Sequence, residues 1–147
     1  TGDAALEGQL DSPTAGKVRM ALQRLWSSIA SAEEAATAYS RVRQRWLTQA
    51  RQGDESAGQV NRHLRAASLA LTSDTGLPGD EWSRQLLFAS DPDNGYATLP
   101  MPAVRLALRA GDLEAVGERI EELAGHLATA ADHLIAARAV LEEQGDS

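Results

Sequence analysis

Asp112–Leu141 reads DLEAVGERIEELAGHLATAADHLIAARAVL, and its apolar positions Leu113, Val116, Ile120, Leu123, Leu127, Ala130, Leu134, Ala137 and Leu141 follow in strict steps of three and four. That spacing keeps every one of them on a single face of an α-helix through four heptads, with Asp112 placed to cap the helix start. Full burial of each large aliphatic side chain along such a seam contributes roughly 1.5 to 3 kcal/mol, so the stripe must pack on something. Composition and spacing leave two partners open: other helices of the same chain, or a second subunit.

Working upstream, Pro102 suits the first turn of a short helix that carries Val104 and Leu108 and closes at Gly111. Before it, Ser90-Asp91-Pro92-Asp93-Asn94-Gly95 is a cluster of turn formers, so residues 82–100 are expected to be mostly loop with one short strand. Val60, Leu64, Ala67 and Leu71 mark a helix that should end before the turn signal Gly76-Leu77-Pro78-Gly79. Gly53-Asp54 separates it from a long first helix beginning near Val18. The apolar stripe of that helix reads Leu22, Leu25, Ile29, Ala32, Ala36 and Tyr39, then continues after a three-residue shift through Val42 and Trp46. Small side chains from Ala30 to Ala36 would let a neighbouring helix approach closely. Residues 1–16, rich in Gly, Asp, Ser, Thr and Pro, read as a linker or frayed terminus, and 17–147 as one domain. The expected fold is mainly α: a helical bundle with long N- and C-terminal helices and an irregular loop region around 76–100.

The 147 residues carry 14 basic and 21 acidic side chains, a net charge of −7, which disfavours nucleic acid and anionic membrane surfaces as partners. Lys17 is the sole lysine, so the positive charge is almost all arginine. Without cysteine there are no disulfides, thiolate metal sites or cysteine nucleophiles, and no apolar run approaches a membrane span. The start Thr1-Gly2-Asp3 is not a signal peptide, and the missing initiator Met fits a C-terminal fragment or a processed chain. The expectation is a soluble fragment, of unknown compartment, whose parent could have been exported.

Catalytic signatures are missing. There is no HExxH, P-loop, Gly-x-Ser-x-Gly or GxGxxG ahead of a helix. His126 and His133 stand seven apart, roughly 10 Å along a helix axis and too far to share a metal, so they read with His63 as surface or interface residues. The adjacent pairs Glu121-Glu122 and Glu142-Glu143 point in different directions and read as solvated faces. A dinuclear metal bundle would need Glu-x-x-His pairs, and no histidine here has a Glu three residues before it. Arg41, Arg43, Arg45 and Arg51 form a basic stretch that suits a charged bundle face, or pairing with Glu33 and Glu34 of a second subunit. No catalytic residue, metal ligand or cofactor site is assigned.

The block Ser68–Leu108, SLALTSDTGLPGDEWSRQLLFASDPDNGYATLPMPAVRLAL, resembles the C-terminal dimerisation domain of the transferrin receptor and glutamate carboxypeptidase family. In that family a helix runs into a Gly-Leu-Pro turn, then an aromatic-Arg step, a short apolar strand, a polar loop ending in Tyr, and a Pro before another helix. The matching elements here are Gly76-Leu77-Pro78, Trp82 with Arg84, Leu86-Leu87-Phe88-Ala89, Asn94-Gly95-Tyr96, and Pro100 or Pro102. With the flanking helices in the expected order, the resemblance covers the chain from about Val18.

The resemblance implies a domain that catalyses nothing itself. It implies as partners a second copy and the parent's own peptidase-like domain, which would hold the zinc. In the glutamate carboxypeptidases a Lys-Tyr pair in this loop holds the substrate's terminal carboxylate. Tyr96 resembles that tyrosine, while Gly95 stands where the lysine would be. Loss of that ammonium removes a charge-assisted contact of about 1.5 to 3 kcal/mol, so the parent is expected to take another C-terminal residue or to lack peptidase activity, like the receptors. For Tyr96 the residues also allow a plain role as a loop anchor. The alternative for the whole chain is a free-standing helical adapter or regulatory module that binds another protein through its seam.

Overall fold

A computed structural model of the chain describes residues 12–49, 56–77, 79–91, 93–95 and 97–145. In chain order the elements are α1 (Pro13–Gln49), α2 (Ser56–Ala70), β1 (Phe88–Ser90), β2 (Thr98–Pro100), α3 (Pro102–Ala110) and α4 (Leu113–Gly145). The fold is mainly α, with long first and last helices and an irregular segment between α2 and α3.

α1 starts earlier than the composition suggests, inside the segment read as a linker. Ser12 Oγ accepts a hydrogen bond from the Ala15 amide at 3.1 Å, and Pro13 occupies the first helical position, where its missing N–H is no loss. Residues 1–11 and the Gly53-Asp54 break lie outside the described residues.

The buried face of α1 also differs from the expected stripe. Ala21, Leu25, Ala35, Tyr39 and Val42 are buried, and Val18, Ser28, Ala32 and Trp46 are half-buried. Together these nine positions form an unbroken three-four repeat, so the helix has one core register and needs no shift near Tyr39. Leu22 and Ile29, expected inside, lie at its exposed edge. Helix packing selected the register of small side chains, because Ala and Ser let a neighbouring helix come close.

The chain divides into two compact units, and both long helices supply residues to each. The unit of residues 28–71 and 126–147 has a core of Tyr39, Val42, Val60, Ala137 and Leu141, flanked by Trp46, Leu64, Leu134 and Val140. Ala137 is fully buried at 0% exposure.

In the unit of residues 1–27 and 72–125, α1 and α4 lie side by side and parallel. Lys17 reaches Glu114 at 2.9 Å, and seven residues further along both helices Arg24 reaches Glu121 at 3.0 Å. Between these pairs a side chain on Gly117 would start 3.5 Å from Val18, so the backbones approach closely there. The same unit buries Leu77, Leu86, Leu99, Val104, Val116, Ile120 and Leu123.

The segment before α3 contains two short strands, where one was expected. β1 and β2 pair antiparallel, with Phe88 opposite Pro100, Ala89 opposite Leu99 and Ser90 opposite Thr98. A strand needs a partner for its backbone groups, and the Asp91–Ala97 turn supplies it by returning the chain alongside itself. Met101 sits in the left-handed region at φ 47° and leads into buried Pro102 at the start of α3. Gly111, at φ 71°, closes α3 with its amide on the Ala107 and Leu108 carbonyls. One residue later Asp112 caps α4 as expected, its carboxylate accepting the Ala115 amide at 2.9 Å.

Candidate functional site

The residues singled out by the sequence fall in two places: the seam along α4 and the loop between β1 and β2. In the seam, Val116, Ile120, Leu123 and Leu141 are at most 4% exposed, and Leu113, Leu127 and Leu134 are half-buried. This burial is achieved within the chain.

Large apolar side chains do remain outside. On α1 they include Leu22 at 40%, Trp26 at 69% and Ile29 at 36% exposure. They are spaced four and three apart, which places them on one helix face, rotated by one residue from the core register. The sequence signal for this face was present as a second three-four repeat. The two repeats overlap, and only packing shows which of them the chain covers for itself.

The loop is built from local polar contacts. The Arg109 guanidinium, projecting from the end of α3, grips Asp91 through two hydrogen bonds of 3.0 and 2.7 Å and also reaches Asp93 at 2.8 Å. This fork matches carboxylate geometry and fixes the loop's entry. The Arg109 hydrogen bonds, helped by the Asp93 amide, hold the Asp91 carboxyl down at about 2. The Ala97 amide donates to the Asn94 carbonyl and the Asp91 amide to the Ala97 carbonyl, closing the turn. Tyr96, the residue expected to face a substrate, lies outside the described residues, as does Pro92. Gly95 is described, and open space surrounds the position where a side chain would begin.

The Gly-Leu-Pro turn upstream has its own anchors. Leu77 and Asp80 exchange backbone hydrogen bonds at 2.9 Å, and the Asp80 carboxylate accepts the Trp82 and Ser83 amides. The Ser83 hydroxyl also donates to that carboxylate, and this bond is the main cause of its lowered pKa. Gly76, at φ 76°, passes so close to Glu81 that an added Cβ would lie 2.6 Å from its backbone. Trp82, in the aromatic-Arg step, is 93% exposed.

The histidines are not simple surface groups. His133 faces His63 across α2 and α4 with ring centroids 6.1 Å apart. The Nδ1–H of His126 donates to the Ala70 carbonyl at 2.6 Å and satisfies one of the free carbonyls at the end of α2. Both pairings depend on helix packing, which residue spacing along one helix does not reveal. Arg41, Arg43 and Arg45 are exposed on α1, and Arg51 lies outside the described residues. Among the described residues no three His, Cys, Asp or Glu side chains are grouped to hold a metal, and no helix is long and apolar enough to cross a membrane.

No curated protein matches the chain. A family model, that of the transferrin receptor-like dimerisation domain, matches residues 20–135. The match takes in most of α1, all of α2 and α3, the hairpin and two-thirds of α4. Because that match covers well over half of the chain, the chain belongs to the transferrin receptor-like dimerisation domain family.

Proposed function

We propose that this domain brings two copies of an attached zinc-peptidase-like domain together by self-association, and that its 91–97 loop contributes to that domain's substrate pocket. The family match over residues 20–135 carries the reading. A dimerisation domain is not itself catalytic, so zinc and the catalytic carboxylate belong to the attached domain. The anchored loop supports the second half of the proposal. Its Asp91–Arg109 fork ties the loop's start to the end of α3, and a chain segment tethered in advance loses less entropy on meeting a substrate. Tyr96 is the residue proposed to contact the substrate's terminal carboxylate, with Gly95 leaving the pocket one positive charge short.

Light scattering over a concentration series tests the first half: a dimer mass is expected, and a strict monomer at high micromolar concentration counts against self-association by this chain. For the second half, Tyr96→Phe in the peptidase-bearing parent should raise KM for peptides with a free C-terminal carboxylate and leave kcat nearly unchanged. An unaltered KM would leave Tyr96 as a loop anchor only.

A further inference from the structure

We propose that His63 and His133 form a two-histidine site for a divalent transition-metal ion such as zinc or nickel, linking α2 to α4. Both residues belong to the unit of residues 28–71 and 126–147. On α2, His63 follows buried Val60 by three positions and precedes buried Ala67 by four. On α4, His133 stands in the same relation to buried Ala130 and Ala137. Each imidazole therefore leaves its helix on the side that faces the core. Each is also half-buried, so the packed helices position the rings while leaving them open to an ion from solvent.

The ring centroids are 6.1 Å apart and the ring planes meet at 38°. Zinc binds an imidazole nitrogen at about 2.0 to 2.1 Å, so two imidazoles on one ion have centroids roughly 5 to 6.5 Å apart, depending on the angle at the metal. The observed separation lies inside that span. Among the described residues neither ring takes part in a hydrogen bond or ion pair, which leaves nitrogens of both for a ligand. His126, by contrast, has its Nδ1 engaged by the Ala70 carbonyl. Neutral imidazole is a good donor to zinc, nickel and copper. No third His, Cys, Asp or Glu joins the pair among the described residues, so water fills the remaining positions and the ion binds more weakly than in a closed four-ligand site. Because the two ligands come from different helices, binding favours the packed state and raises stability by mass action.

Calorimetric titration of zinc chloride into the chain, free of any affinity tag and at neutral pH, tests the site alongside thermal melts with and without zinc. One ion per chain and a higher melting temperature are expected. His63→Gln and His133→Gln should each weaken binding by about tenfold or more and remove the thermal gain. His126→Gln should keep both, and circular dichroism shows whether each variant is folded. If a variant fails to fold, nickel chloride added to the wild-type chain decides by NMR. Paramagnetic broadening centred on the His63 and His133 ring protons supports the site, and broadening centred elsewhere overturns it. A wild-type chain that binds no zinc at millimolar concentration, or whose binding survives both substitutions, overturns it as well.

Discussion

Along α4 the repeat that begins at Leu113 is buried or half-buried at every position within the chain, whereas along α1 two repeats run side by side and only one is covered. The covered repeat passes through Ala21, Leu25, Ala35, Tyr39 and Val42. The open one passes through Leu22, Trp26 and Ile29. The two helices share a period but not a use for it, and the larger side chains of the first half of α1 stay on the outside. Hydrophobic size alone therefore did not choose the core. Helix approach also counts, as at Gly117, where an added Cβ would start 3.5 Å from Val18.

The sharpest way to break this comparison uses one residue type on one helix. Ile120 is 2% exposed and Ile135 is 46% exposed, both on α4. Ile120→Ala should lower unfolding stability by about 2 to 5 kcal/mol through the cavity it leaves. Ile135→Ala should stay within about 0.5 kcal/mol of wild type. Denaturant melts of the two variants measure the difference, and comparable losses would mean that the division between buried and open faces is wrong.

A somewhat smaller effect is expected outside the helices. Gly76→Ala places a Cβ against the Glu81 backbone in a left-handed conformation, and should cost at least ~2 kcal/mol in the same melts. By contrast Gly79→Ala, also at positive φ but with open space around it, should cost only the conformational part, ~1 to 2 kcal/mol. Equal losses would show that the close approach to Glu81 contributes nothing.

The smallest effect concerns pH. Asp91 has its carboxyl at about 2 in the fold, below the ~3.9 of an unfolded chain, so its ionised form favours the folded state. The contribution is present above about pH 4 and fades as pH falls toward 2, where the folded carboxyl takes up its proton. Because the group is exposed, the change should be seen locally, in the NMR shifts of Asp91 and the Arg109 side chain. A titration midpoint near 3.9 would mean that the Arg109 fork does not persist in solution.

Much of the fold was legible because helices declare themselves locally. The three-four steps of α4, Asp112 as its cap, Pro102 and Gly111 around α3, and the Gly-Leu-Pro turn all depend on residues within a few positions of one another. The start of α1 is hidden for the opposite reason. Ser12-Pro13 is a helix-start signal, but it sits in a run of turn-forming residues whose composition outweighed it. The loop's clamp was hidden because Arg109 and Asp91 are eighteen residues apart. The His63–His133 contact was hidden because it joins two helices.

By itself the sequence determined that this chain is a helical domain of the dimerisation family, since helix periodicity, caps and the Gly-Leu-Pro block are encoded at short range. Only the tertiary structure decided which repeat of α1 is core and which stays exposed. Both satisfy the same helical period. The choice between them depends on how closely another helix can approach, a distance that is set across the fold rather than along the chain.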